Sequence, residues 1–129
     1  MLQPPSLSRF PHYPVTSGVA LASVLVTGLW WSGHAIEALL MNFEVWDGWQ
    51  LWRAVTSILP HVNFFHLAFN LYWFWAFGTL VERIYGHFRF AGIILLFALT
   101  SSLLEFALSG GGVGLSGGGY GLWARLWVL

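Results

Sequence analysis

The sequence predicts an all-α fold, a polytopic bundle of transmembrane helices, and its charge content, its apolar runs and its arginine placement all point the same way. Of the 129 residues, 57% are hydrophobic, 19% are aromatic and 8% are charged. A soluble domain carries about 25% charged residues, so the deficit indicates lipid as solvent. About 20 apolar residues are needed to cross a bilayer as a helix. The chain supplies several such runs.

Residues 1–14 hold four of the five prolines and read as a loose N-terminal tail. No charge occurs between Arg9 and Glu37, and a first spanning helix is expected from roughly Val15 to Leu40. The tail before it and the lack of a small-residue cleavage site argue against a cleaved signal peptide. Met41 to Ser57 mixes Trp46, Trp49 and Trp52 with Glu44, Asp47 and Arg53, a composition suited to a loop at the membrane interface. A second charge-free run extends from Ala54 to Val81, with Pro60 in the first turn of its helix, where a missing N–H does no harm. Arg83 to Arg89 is a short polar turn, and Phe90 to Leu108 is a third span. After the glycine tract Gly110 to Gly114, a fourth helix is expected from Ser116 to Leu129. Its 14 residues give about 21 Å of helix against a hydrocarbon core of about 30 Å, so it reads as unfinished. Residues 15–129 thus form one partial transmembrane domain.

Counting crossings puts Arg9, Arg83 and Arg89 on one side and Arg53 on the other. The positive-inside rule makes the first side, and the N-terminus, cytoplasmic. Ser116 then enters the membrane from the outer side.

Several function classes drop out. Net charge is zero, there is no lysine, and so no basic patch for a nucleic acid. Without cysteine there is no disulfide, thiolate metal site or thiol nucleophile. His61 and His66 are five apart rather than four, no H-E-x-x-H occurs, and neither metal nor cofactor is implied.

Polar side chains inside a membrane face the bundle interior or a wet cavity. Asn63, His66 and Asn70, at i, i+3 and i+7, share one helical face, and His61 lies off it. Such residues join membrane helices by hydrogen bonds or serve a site, and spacing alone leaves both open. Gly114-Leu115-Ser116-Gly117-Gly118 puts a serine at a helix start, where free N–H groups and the positive dipole end can hold an oxyanion. The hydrolase nucleophile elbow of the same spacing needs a preceding strand, and a phosphate loop needs a lysine. Gly117 and Gly121 also form a G-x-x-x-G pair, the common signature of simple helix packing.

Taken together, Trp52-Arg53, then His61-Val-Asn63-Phe-Phe-His66-Leu-Ala-Phe-Asn70, then Gly114-Leu-Ser116-Gly117-Gly-Gly-Tyr120-Gly121 resemble the hallmark motifs of the rhomboid intramembrane serine proteases, in family order. The resemblance runs from about Trp46 to the end and implies four of six expected core helices. It implies Ser116 as nucleophile and an oxyanion site from His66, Asn70 and the N–H groups of Leu115 and Ser116. Tyr120 would pack against the catalytic imidazole, with Gly114, Gly117, His61 and Arg53 in support, Arg53 anchoring the loop through Glu44 or Asp47. The implied general base is a histidine on a sixth helix, which these residues do not include, so this chain alone is expected to be inactive. The glycine run 117–119, where the family more often has larger aliphatic residues, implies a soft helix start. Partners implied are the lipid bilayer and transmembrane protein substrates, in a plasma or inner membrane. A non-catalytic rhomboid-like protein that binds transmembrane clients is the alternative, and a transporter or channel fragment ranks behind it.

Overall fold

The computed structural model describes residues 3–40 and 48–109. Three long helices dominate: α1 (Pro14–Trp31), α2 (Phe64–Tyr85) and α3 (His87–Ser109). At 1.5 Å per residue they measure about 27, 33 and 34 Å, and their 18, 22 and 23 residues fall within the range of membrane-spanning helices, about 17–25. All three are also apolar enough to cross a membrane. Large apolar side chains stand uncovered along each of them, Leu21, Val24 and Leu25 on α1, Phe65 and Phe69 on α2, Leu95 and Leu96 on α3. Water would penalise those surfaces and acyl chains solvate them, so the chain is an integral membrane protein.

The packing inverts a soluble pattern. The buried residues of α1 are Thr16, Ser17, Ser23 and Thr27, small and polar, while Leu21, Val24, Leu25 and Leu29 are exposed. Lipid is as apolar as leucine, so small residues that let backbones approach, and hydroxyls that bond across, drive association instead. At Gly78 of α2 an added Cβ would lie 3.0 Å from Thr16 Cγ2 and 3.2 Å from its Oγ1. That glycine sets the α1–α2 distance. Behind it Phe74, Val81, Phe90, Ile94, Ala98 and Ile58 form the apolar core shared with α3.

One end of the bundle is organised by Glu82, 1% exposed. Pro14 opens α1 with no N–H to satisfy, and Tyr13 before it offers no side-chain cap. The next two donors, the N–H groups of Val15 and Thr16, are bound by Glu82 Oε1 and Oε2 at 3.0 and 2.9 Å. The fourth, of Ser17, reaches the Tyr13 carbonyl at 2.8 Å. All orphan donors of the helix start are therefore answered, by a carboxylate placed where the helix dipole favours negative charge. Thr16 Oγ1 donates to Oε2 at 2.6 Å and His87 Nδ1 to Oε1 at 2.7 Å, tying α1, α2 and the first residue of α3 to one side chain. The turn between α2 and α3 is Gly86 alone, at φ 80°, a conformation that suits glycine.

At the opposite end α1 stops at Trp31, nine residues before the expected Leu40. Gly33 takes φ 91°, its N–H bonds Trp30 O, and His34 N–H bonds Leu29 O, the two bonds of a Schellman cap. Apolar composition runs on past this point, but the left-handed glycine ends the helix. A 3₁₀ turn (Glu37–Leu39) and a one-turn helix (Arg53–Thr56) follow. Likewise α2 begins at Phe64, not near Pro60, because Asn63 caps it from extended backbone.

Nor is the tail loose. A 3₁₀ segment (Leu7–His12) lies against α2, with Phe10 stacked on Trp75 at 5.9 Å and Tyr13 edge-on to the same indole. Trp75 Nε1 donates to Pro5 O at 2.8 Å, and Ser17 Oγ to Phe10 O at 2.6 Å. The Phe10 carbonyl also accepts the Tyr13 N–H at 3.4 Å, so the segment is held both by its own turn and by donors on α1 and α2.

Candidate active site

The described part of the candidate site starts with the segment that leads into α2. His61 is fully buried, outside the helix. Its N–H donates to Thr27 Oγ1 at 3.1 Å, and its carbonyl accepts from Trp31 Nε1 at 3.1 Å, which pins this segment to the far end of α1. Its Nδ1 lies 2.8 Å from Leu59 O; a carbonyl only accepts, so Nδ1 carries the proton. Burial pushes the His61 imidazole below its ordinary pKa; the Leu59 bond opposes this, and nearby His66 adds a smaller push downward.

Asn63 leaves the expected polar stripe. Its Oδ1 accepts the His66 N–H at 2.8 Å, closing the first turn of α2. Capping uses that oxygen, so the stripe reduces to His66 and Asn70, one turn apart and both half-buried. Asn70 Nδ2 donates to His66 O at 2.7 Å, and the His61 and His66 rings meet edge-to-face at 5.0 Å. Among the described residues the His66 ring nitrogens and the Asn70 Oδ1 take part in no hydrogen bond. Polar atoms left unpaired at membrane depth are costly unless they face a wet cavity or a further polar partner.

Arg53, 5% exposed, stabilises the loop, and its described partners are two backbone carbonyls and a side-chain amide. Its guanidinium holds the carbonyls of Glu37 and Leu40 and, through Nε, the Gln50 side chain at 2.6 Å. Trp52 Nε1 to Ala38 O and Thr56 Oγ1 to Leu39 O complete a clamp on the turn after α1. The expected anchors Glu44 and Asp47 lie outside the described residues, as do Gly114, Leu115, Ser116, Gly117 and Tyr120. No three His, Asp or Glu side chains converge as metal ligands among the described residues.

Glu82, the first charge after the run that ends at Val81, is buried as the junction of three helices. A signal existed. A carboxylate closing a charge-free run of membrane length is by default a residue with a specific partner. Thr16, Gly78 and His87 carried no such mark, because their significance lies in contacts made across 66 residues or fewer of intervening chain.

The model of the Rhomboid domain matches residues 48–129. The chain is similar to the rhomboid protease GlpG of Salmonella typhimurium, 34% identical over 126 residues, covering 89% of this chain and 43% of that protein. It is also similar to the rhomboid protease GluP of Bacillus subtilis, 45% identical over 58 residues, covering 45% of this chain and 11% of that one. The chain therefore spans less than half the length of these curated relatives. With an all-helical membrane bundle, a tryptophan-arginine clamp and the paired His66 and Asn70 in place, the chain belongs to the rhomboid family.

Proposed function

We propose that this chain supplies the nucleophile and oxyanion half of an intramembrane serine endopeptidase acting on transmembrane protein substrates. Ser116 Oγ attacks the scissile carbonyl carbon, a C–O bond forms as the carbonyl π pair moves onto oxygen, and the hydroxyl proton passes to a general base. That base is a histidine on a helix outside residues 1–129. Collapse of the tetrahedral intermediate expels the amine, which takes the proton, and water then releases the acyl group. The His66 ring and the Asn70 carboxamide, with the N–H groups of Leu115 and Ser116, hold the oxyanion, and Tyr120 positions the base. The enzyme lies in a plasma or inner membrane with its N-terminus in the cytoplasm.

The observation that supports this reading is the contrast in hydrogen bonding along α2. His66 and Asn70 share a face at its start and have hydrogen-bonding atoms unengaged by any described residue, whereas His61 and Asn63 beside them are bound into the scaffold. His66 is better suited to donate to an oxyanion than to serve as base, since one imidazole does both poorly.

The test is fluorophosphonate labelling of the intact protein in detergent, expressed with the downstream helices of its reading frame. Stoichiometric modification at Ser116, abolished by Ser116→Ala, is expected together with cleavage of a transmembrane substrate. A folded protein that binds such clients yet is neither labelled nor active would instead be a non-catalytic member of the family.

A further inference from the structure

At the end of the bundle away from the candidate active site, a cleft of about 410 Å³ opens between the N-terminal segment and α2. Its volume falls in the range of small-molecule sites, about 300–1,000 Å³. Arg9 and Arg83 both line it, with Gln3, Ser6, Tyr13 and Thr79, and among the described residues no acidic side chain does. Both guanidiniums are exposed, and among the described residues neither has a carboxylate or hydrogen-bond partner. The one carboxylate close in sequence, Glu82, is fully engaged by Val15, Thr16 and His87. Two like charges brought to one cleft without a counter-charge repel each other, and an anion bound between them relieves that repulsion.

The wall is built rather than incidental. The Trp75 indole holds the Pro5 carbonyl, and its ring stacks on Phe10, so the arm carrying Gln3, Ser6 and Arg9 is fixed against α2. Leu7, 75% exposed, projects from the same arm, and Phe10, stacked on Trp75, keeps 37% of its surface exposed. An amphipathic segment of this kind lies in the headgroup layer with its apolar side chains toward the acyl chains. Arg89 stands at the same end, at the start of α3, but outside the cleft. Three of the five basic residues thus collect where the positive-inside rule puts the cytoplasmic leaflet, the face rich in anionic lipid.

We propose that this cleft binds the phosphate-bearing headgroup of an anionic phospholipid, with Arg9 and Arg83 as its cationic ligands and the Leu7–Phe10 edge against the acyl chains. Arginine suits the task, because its planar fork can bind two phosphate oxygens at once. The lipid then fastens the N-terminal segment to α2 and registers the bundle against the inner leaflet.

The experiment is a native mass spectrometry titration of the intact protein in neutral detergent with phosphatidylglycerol, and separately with phosphatidylcholine. Phosphatidylglycerol is expected to bind at least about tenfold tighter; one basic residue near a lipid surface contributes about fivefold. Arg9→Gln and Arg83→Gln should each weaken it about fivefold and the double variant about 25-fold, whereas Arg89→Gln changes it less than about twofold. Trp75→Phe, which removes the indole N–H that holds Pro5 without altering charge, should weaken binding as well. Equal affinity for the two lipids, or equal losses from all three arginine variants, would overturn the proposal. Displacement of phosphatidylglycerol by an equal concentration of inorganic phosphate would overturn the lipid assignment and make the cleft a free-phosphate site.

Discussion

The two ends of α2 carry polar groups of similar cost in a membrane and handle them in opposite ways. At the far end every acceptor position of Glu82 that the fold uses is matched to a donor on α1 or α3, and the side chain is closed off from solvent. At the near end the scaffold engages His61 and Asn63, whereas no described residue bonds the His66 ring nitrogens or the Asn70 oxygen on their half-buried face. A fully satisfied buried network rigidifies a fold, whereas an incompletely satisfied one is strained unless something else binds there. On the proposed function, the difference separates stability from chemistry along a single helix: disturbing Glu82 should unfold the bundle, and disturbing His66 should not.

The largest effect is expected from Glu82→Ala. It strips the N–H groups of Val15 and Thr16, the Thr16 hydroxyl and His87 of their shared acceptor, and should destabilise the protein by about 3–5 kcal/mol in mixed-micelle unfolding. A loss under about 1 kcal/mol would erase the contrast between the two ends. His66→Ala should reverse the balance, lowering kcat of the intact enzyme by about 10²–10³-fold while shifting the unfolding midpoint little. An equal loss of stability and activity would mark His66 as scaffold.

Gly78→Ala probes how close α1 and α2 must stay. The new methyl meets Thr16 at 3.0 Å, forcing the hydroxyl off Glu82 or the helices apart, at a cost of about 1–3 kcal/mol. Thr16→Ser in the same background removes the clashing methyl and should recover part of that loss; no recovery would place the strain elsewhere.

The smallest effect concerns pH and sharpens the near end. The folded pKa of His61 is depressed below its ordinary 6.5, so folded and unfolded states are both neutral above that value and the full stability is present there. As pH falls below about 6.5 the unfolded chain takes up a proton that the buried ring resists, and stability is lost. His61→Gln should flatten the decline between about pH 6.5 and 5. Parallel slopes for the two proteins would show that the ring titrates normally.

Much of this architecture was legible in one dimension because membrane spans announce themselves by length and composition alone. The third span differed from expectation by a few residues, and the paired His66 and Asn70 kept the face their spacing assigned. Helix ends were harder. Gly33 and Asn63 carry the usual signals for a C-cap and an N-cap, but each sits within apolar surroundings whose hydropathy runs through the boundary. Arg53 illustrates a further limit, since a search for acidic anchors overlooks the backbone carbonyls of Glu37 and Leu40 that it holds.

By itself the sequence determined the solvent, the existence of the three described spans, the end at which Arg9 and Arg83 gather, and the shared face of His66 and Asn70, because each depends on composition or on a period of 3.6 residues; the expected fourth span, Ser116 to Leu129, lies outside the described residues. Only the tertiary structure decided that Glu82 caps a helix 66 residues away, that Asn63 serves the backbone of the first turn of α2, and that the N-terminal arm closes a cleft over Arg83. Those outcomes rest on where hydrogen-bond donors left over at one helix end find acceptors on another, and no local pattern encodes that pairing.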